Sequence, residues 1–271
     1  GVFDEESLSW KPEVIESFGL NPEILPELNP ANGVIGSVSA ACAAETSLSE
    51  KTKVITGVGD TFASMLGGGA YNAKHFMIYL GTSGTSMYAE GSPKEYVACP
   101  HYGDGKAHFA GRIFSFGESI LHLRNNLRYD NWDDLNCHLD EIEPGTEGLW
   151  YFPHYKLQTD ASFFGPDAEF MMGYRGCHTQ FHWYHAMLEG IAYNARYNIV
   201  NFSMPIEQIN IFGGGANSKE ICQMFADIIG RDLHYNPKSS TALGVAFLAG
   251  YGSGAIKVYK ELTDTWFGDS T

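Results

Sequence analysis

Basic residues are scarce in this sequence. Its 271 residues contain 17 Lys and Arg against 32 Asp and Glu, which gives a formal net charge of −15 at pH 7. A charge of this sign and size repels DNA and anionic membrane surfaces, because both are also negatively charged. We therefore expect neither nucleic acid nor a membrane as a partner.

Long apolar runs and paired cysteines are also absent. No run reaches the roughly 18 apolar residues that a membrane-spanning helix needs, and no charged and apolar leader opens the chain. The cysteines are odd in number and include no Cys-x-x-Cys pair: Cys42, Cys99, Cys137, Cys177 and Cys222. This pattern predicts reduced, mostly buried thiols in a cytoplasmic protein.

Glycine is abundant where strand patterns end. The clearest example is the run Gly213-Gly214-Gly215, which lies between an apolar strand pattern at 209–212 and a helical pattern that continues to Ile228. Because glycine has no Cβ, the chain can turn sharply here and a flat or phosphorylated ligand can lie against the main chain. A strand–helix turn without a ligand is an equal alternative on these three residues alone.

Two earlier segments have the same design. A strand pattern at 54–58 leads into Gly59 and Asp60, and a strand pattern at 76–80 leads into Gly81-Thr82-Ser83-Gly84-Thr85. The second turn offers amides and hydroxyls but no lysine. It is therefore not a Walker loop, and it would have to bind phosphate through amide and hydroxyl donors. The alternative is an ordinary hairpin turn.

Taken in this order, the segments resemble the FGGY family of carbohydrate kinases. The family's pattern runs from a glycine-flanked Asp through Gly-Thr-Ser and Gly-Gly-Gly-Ala turns to a late Ala-Leu-Gly, which this chain supplies at 242–244. The segment 188–192 looks like the family's mid-domain helix, and the resemblance covers nearly the whole chain. It implies an α/β fold: a ribonuclease H-like, actin-like ATPase domain preceded by the tail of a domain of the same type.

The resemblance also implies a division into domains. Residues 1–74 would be the C-terminal remnant of the family's N-terminal, sugar-binding domain, and residues 75–271 the C-terminal, nucleotide-binding domain. Within the second part, the patterns predict a hairpin at 76–88, a strand near 108–114, and helices at about 118–129, 179–201, 218–230 and 241–250.

The activity implied by the resemblance is ATP-dependent phosphorylation of a hydroxyl on a ketopentose or related polyol, with ATP and Mg²⁺ as cofactors. Asp60 would be the catalytic base, and Gly59, Asp60 and Thr61 would meet the substrate. The nucleotide would contact Gly81, Thr82, Ser83, Gly84, Thr85, Gly213, Gly214, Gly215, Ala216 and Asn217. The net negative charge does not exclude a nucleotide, because amides and Mg²⁺ can neutralise phosphate locally.

Several alternatives stay open. Asp60 could cap the helix that follows it, since Asp is a frequent N-cap, and Ala242 and Gly244 are expected to serve close helix packing. Cys177, His178, His182 and His185 have a spacing that would allow a zinc site, but partly exposed helix histidines are favoured. Aromatic residues such as Trp150, Tyr151 and Phe152 could line a sugar site, but core positions are favoured. A different function class is a nucleotide- or sugar-binding module of the same superfamily that lacks catalysis.

One family element is missing from the sequence. The Asp-x-Gly-Thr hairpin, which in the family binds phosphate and metal, does not occur in these 271 residues. We therefore expect a fragment that is inactive alone and that needs the missing N-terminal half of the kinase as a partner, beside the sugar substrate. No metal ligand is assigned within this chain, and a homodimer is left open.

Overall fold

A computed structural model of the chain describes residues 2–4, 7, 9–69, 74–82, 84–89, 107–112, 116–127, 132–155 and 168–257. Its strands are β1 (Phe3–Asp4), β2 (Ser9–Trp10), β3 (Val34–Ser37), β4 (Lys53–Ile55), β5 (His75–Tyr79), β6 (Thr85–Ala89), β7 (Ala107–Arg112), β8 (Trp150–Tyr155), β9 (Ala168–Met172), β10 (Gln208–Phe212) and β11 (His234–Tyr235). Its helices are α1 (Pro12–Ser17), α2 (Ala40–Thr46), α3 (Asp60–Gly67), α4 (Phe116–Leu127), α5 (Asp133–Asn136), α6 (Gln180–Val200), α7 (Lys219–Ile229) and α8 (Thr241–Ser253).

The predicted elements of the second half are confirmed. The hairpin is β5 and β6, and the four predicted helices are α4, α6, α7 and α8. The strand predicted near 108–114 is β7, although residues 113 and 114 lie outside the described part. Capping residues flank the helix ends. Thr179 is the N-cap of α6 and Ser218 that of α7, and Gly230, in the left-handed conformation, is the C-cap of α7.

The chain divides into two compact units. The first comprises residues 1–75, 88–108 and 238–270, and the second comprises residues 76–87 and 109–237. In the first unit, β3 pairs antiparallel with β4, and α3 packs against α8. The side-chain oxygens of Ser64 and Thr241 lie 2.6 Å apart and connect these two helices.

Glycine allows α3 and α8 to approach closely. A Cβ built on Gly67 would lie 1.8 Å from the carbonyl oxygen of Ser240, and one on Gly244 would lie 1.9 Å from that of Ala63. No side chain fits at such distances, so backbone meets backbone at this contact. The expectation that Gly244 serves helix packing is therefore confirmed.

The second unit is built around a five-stranded sheet with the order β11-β10-β5-β6-β7. The central strands carry apolar side chains that are buried on both faces, as in a sheet covered by helices: the consecutive pairs Phe76-Met77 and Ile211-Phe212, whose members point to opposite faces, are each 0 or 1% exposed. β10 pairs parallel with β11, whereas β8 and β9 form a separate antiparallel ribbon.

Two expectations about burial are wrong. Cys42, Cys137 and Cys177 are exposed and Cys222 is half-buried; all four are free thiols, and Cys99 lies outside the described residues. Tyr151 is buried, but its neighbours Trp150 and Phe152 are exposed. These neighbours point to the other face of β8, because side chains alternate along a strand.

No helix in the described part of the chain is both long enough and apolar enough to cross a bilayer.

Candidate functional site

The three-glycine turn connects β10 to α7. Gly213 has a φ of 103°, which side chains with a Cβ rarely adopt, and a Cβ there would lie 2.7 Å from the carbonyl oxygen of Leu80. Gly214–Asn217 then form one 3₁₀ turn, and the Ser218 side chain caps α7 by accepting a hydrogen bond from the Ile221 N–H. The predicted strand–turn–helix is confirmed.

Backbone hydrogen bonds fasten this turn to the end of β5. The Leu80 N–H donates to the Phe212 carbonyl at 2.8 Å, and the Gly215 N–H donates to the Leu80 carbonyl at 3.0 Å. The next carbonyl, that of Gly81, accepts from the Gly117 N–H at 3.1 Å. The ends of two neighbouring strands and the start of α4 therefore meet at one place.

A cavity of about 920 Å³ opens at this place. Its volume lies in the range of roughly 300–1,000 Å³ that is usual for small-molecule sites. One part of its wall consists of the strand ends and the two glycine turns, namely Leu80, Gly81, Thr82, Gly214, Gly215 and Asn217. The cavity lies entirely within the second unit.

The cavity brings together residues from both predicted nucleotide turns. Gly81, Thr82, Gly214, Gly215 and Asn217 line it. Gly84, Thr85, Gly213 and Ala216 are not among the lining residues, and Ser83 lies outside the described part of the chain. Gly213 nevertheless shapes the second turn, because its positive φ and its closeness to Leu80 leave no room for a Cβ.

Sequence reasoning missed the side chains that complete the wall. Trp132 immediately precedes α5, Asn136 ends α5, and Tyr184 comes from α6. Tyr184 is 1% exposed, and its hydroxyl donates to Asn136 Oδ1 at 2.7 Å. The pair Phe116-Gly117, at the start of a helical pattern, could have indicated that the start of α4 lines a site. No local pattern links Asn136 to Tyr184, because these two residues lie 48 positions apart.

The charge around the cavity is mixed. Asp133, Glu220 and Lys219 line it, and Lys219 is the one cation among its described lining residues. The Ser218 hydroxyl donates to Glu220 at 2.7 Å, and this hydrogen bond is the main reason that the pKa of Glu220 is lowered. The N-terminus of α7, with its positive dipole end, favours an anionic group nearby.

Asp60 lies in the first unit, at the start of α3. It is the first residue of the helix and is exposed, whereas the N-cap is Gly59, which makes no side-chain cap. The alternative that Asp60 is the N-cap is therefore wrong by one position. The side chain of Thr61 lies outside what the structure describes.

Of the two histidines of α6, His185 takes part in a buried network, whereas His182 accepts a hydrogen bond from the Thr179 N–H outside it. His185 Nδ1 lies 2.7 Å from Thr146 Oγ1, which donates to Glu189 Oε2 at 2.7 Å. The Gly145 N–H donates to Glu189 Oε1 at 2.7 Å. His178 and His185 are buried, so the expectation of partly exposed histidines holds only for His182.

Cys177 and His178 precede α6 and gather with Glu147, their nearest ligand atoms lying within 4.8 Å of one another. The Arg175 N–H donates to His178 Nδ1 at 3.0 Å. A neutral imidazole that accepts at Nδ1 carries its proton on Nε2, so neither ring nitrogen is left to bind a cation. The group does not fit a zinc site.

Comparison with known proteins gives the family. Residues 76–253 match the C-terminal domain of the FGGY family of carbohydrate kinases, and residues 1–67 match its N-terminal domain. A xylulose kinase of Lactococcus lactis is 26% identical over 97% of this chain and 54% of its own length. A gluconokinase of Bacillus subtilis is 25% identical over 97% of this chain and 55% of its own length.

Among solved structures, Plasmodium falciparum glycerol kinase with ADP superposes with a TM-score of 0.77 at 19% identity, covering 100% of this chain and 56% of that one. This likeness confirms the expected α/β fold of the ribonuclease H-like, actin-like ATPase type. The chain spans about half the length of the curated relatives it matches. Because matches to the two domains of one family together account for most of the sequence, the chain belongs to the FGGY family of carbohydrate kinases.

Proposed function

We propose that this chain binds ATP in the cavity of its second unit and serves an ATP-dependent sugar kinase. The observation that carries the proposal is that Gly81 and Thr82 from one glycine turn line the same cavity as Gly214, Gly215 and Asn217 from the other. Exposed backbone at strand ends and a helix N-terminus are the features that bind phosphate and ribose. The first turn would hold the phosphates, and the second the adenosine.

The reaction would be transfer of the γ-phosphoryl group to a hydroxyl of a ketopentose or related polyol. The Asp60 carboxylate would accept the hydroxyl proton as the oxygen attacks phosphorus, and the bond from the γ-phosphorus to the bridging oxygen would break to release ADP. Gly59 and Thr61 would lie beside the substrate. Exposure of Asp60 at the start of α3 is compatible with this role, because a base has to reach its substrate.

The polar lining is compatible with the Mg²⁺ that would accompany ATP. Asp133, Glu220 and Thr82 offer carboxylate and hydroxyl oxygens, which are the ligands that Mg²⁺ prefers. Bound Mg²⁺ would neutralise negative charge on the phosphates.

We further propose that residues 1–74 belong to the sugar-binding domain, residues 75–271 to the nucleotide-binding domain, and that further kinase polypeptide completes the first of these. Every residue except two is exposed in the elements β3, α2 and β4, and Ile35 is 55% exposed. A two-stranded ribbon alone is marginally stable in water. Additional strands and apolar cover would stabilise it, and they would bring the Asp-x-Gly-Thr element that this sequence lacks.

Nucleotide binding can be tested with a matched pair of glycine variants. A Cβ added to Gly214 or to Gly176 would meet no atom within 4 Å, so both Gly214→Ala and Gly176→Ala should fold. Gly214 lines the cavity and Gly176 does not. In calorimetric titration with Mg-ADP, we expect Gly214→Ala to bind at least about tenfold more weakly, because the methyl group occupies ligand space, and Gly176→Ala to match the parent protein.

The outcome is decisive in either direction. Binding that Gly214→Ala weakens and Gly176→Ala leaves intact places the nucleotide at the second turn. Absence of any Mg-ADP or Mg-ATP binding by folded protein would overturn the proposal.

A further inference from the structure

We propose that Tyr184 positions the Asn136 amide so that the cavity selects adenine over a purine that carries an oxygen at the 6-position. This inference rests on the proposed nucleotide binding and adds a base preference to it. Asn136 would be the residue that reads the edge of the base. Tyr184 would be a positioning residue that acts through Asn136.

The hydrogen bond between the two residues has a defined direction. Tyr184 is 1% exposed, its hydroxyl donates to Asn136 Oδ1 at 2.7 Å, and burial raises its pKa well above the usual range. The hydroxyl therefore keeps its proton and acts as a donor. Both residues line the cavity, so the orientation of the amide is set at the place where a ligand would lie.

The Asn136 amide keeps unused hydrogen-bonding capacity. An amide oxygen has two lone pairs and an amide nitrogen has two donors, and the Tyr184 bond uses one lone pair. Within the described part of the chain, Asn136 Nδ2 has no hydrogen-bond partner. An acceptor and a donor side by side match the N6 amino group and N1 of adenine, the Watson–Crick edge that proteins read on an unpaired base.

The same arrangement disfavours hypoxanthine or guanine. Their O6 is an acceptor and their N1 carries a proton, so O6 would face Asn136 Oδ1 and N1–H would face Nδ2 unless the amide reversed. A reversed amide would donate from Nδ2 to the Tyr184 hydroxyl and leave the hydroxyl proton without an acceptor. A buried donor without an acceptor is unfavourable, and burial of Tyr184 is what makes the reversal costly.

Other lining residues would suit the faces of a base. Phe116, Ile120 and Trp132 supply apolar surface to the cavity, as flat aromatic ligands require. The Arg124 guanidinium lies 4.5 Å from the Trp132 ring centroid and covers one ring face. This contact holds the ring in place and leaves the rest of its surface for a ligand.

The test compares ADP with IDP, whose base is hypoxanthine and whose ribose and phosphates are identical. For the parent protein we expect ADP to bind roughly 10- to 100-fold more tightly, the usual value of one good amide–base pair. In Tyr184→Phe the amide is free to reverse, so the preference should fall to within about threefold, chiefly because IDP binds more tightly. General damage to the site would not strengthen IDP binding.

Two further variants complete the design. Asn136→Ala, at a half-exposed position that tolerates truncation, should lose the preference because ADP binds more weakly. Tyr151→Phe alters another buried tyrosine, one that does not line the cavity, and should keep the parent preference. Equal affinities of the parent protein for ADP and IDP, or an unchanged preference in both Tyr184→Phe and Asn136→Ala, would overturn this inference and leave the proposed function standing. Failure to bind either nucleotide would overturn both.

Discussion

Replacing Glu189 with alanine should lower the free energy of unfolding by about 2–4 kcal/mol, whereas replacing it with glutamine should lower it by about 1 kcal/mol. Glu189 is 6% exposed and accepts hydrogen bonds from the Gly145 N–H and the Thr146 hydroxyl, both at 2.7 Å. Alanine removes the acceptor of the Gly145 N–H and leaves a cavity in place of the side chain, whereas the Thr146 hydroxyl can turn to His185 Nδ1. Each buried donor without a partner costs about 1–3 kcal/mol.

Glutamine can satisfy the same groups by reversing one chain of hydrogen bonds. In the parent protein the order runs from His185 Nδ1–H to Thr146 Oγ1 and from the Thr146 hydroxyl to Glu189 Oε2. With glutamine, Nε2 would donate to Thr146, whose hydroxyl would donate to His185 Nδ1, while Oε1 would still accept from Gly145. His185 only has to move its proton to Nε2.

The assay is urea unfolding at pH 7, followed by tryptophan fluorescence. Glu143→Ala, at an exposed position three residues before Thr146, serves as the control and should change the unfolding free energy by less than about 0.5 kcal/mol. Equal losses for alanine and glutamine would mean that charge matters more than hydrogen bonding. A loss below about 1 kcal/mol for alanine would refute the network as a source of stability.

Three further predictions concern catalysis, helix packing and pH. In an active kinase that contains this chain, Asp60→Ala should lower kcat by about 10²- to 10⁴-fold, the usual contribution of a general base. Gly244→Ala should lower the unfolding free energy by about 1–3 kcal/mol, because its Cβ would lie 1.9 Å from the Ala63 carbonyl oxygen. Burial lowers the pKa of the His185 imidazole, so as the pH falls this side chain is protonated in the unfolded chain before it is protonated in the folded one. The free energy of unfolding should therefore keep its full value above about pH 6.5 and decrease below it.

Each of these has its own control. Circular dichroism should show Asp60→Ala folded, and an unchanged kcat in that folded variant would remove Asp60 from the chemistry. Val245→Ala, at an exposed position next to Gly244, should leave the urea midpoint in place. Replacing His185 with asparagine should flatten the dependence of stability on pH below pH 6.5, and an unaltered slope would assign it to other groups.

The fold could be predicted in large part because its signals are local. Strand patterns that end in glycine, and capping residues such as Ser218 and Gly230, are each contained in a few consecutive positions. The positive φ of Gly213 favours glycine, so the glycine at this position is itself a local signal for the turn. The helices that such residues begin and end were therefore predicted within a few residues.

The remainder of the cavity wall could not be predicted in this way. Asn136 and Tyr184 come from helices separated by the β8–β9 ribbon, and only the folded chain brings the hydroxyl to the amide. The predictions of burial for single side chains were wrong for the same reason. Whether Cys137 or Trp150 is exposed depends on which neighbour covers it, and a spacing pattern does not contain that information.

The contact between α3 and α8 has a consequence for the order of folding. The Ser64 and Thr241 oxygens that join these helices are 177 positions apart, and the Lys53 ammonium donates to the Ser253 carbonyl across 200 positions. The first unit therefore contains residues on both sides of the second, and it can be completed only after residues 109–237 have been synthesised. During translation the second unit emerges in full before α8 does. Since domains fold as they emerge and distant contacts form slowly, the unit that starts the sequence is expected to be the last to reach its native state.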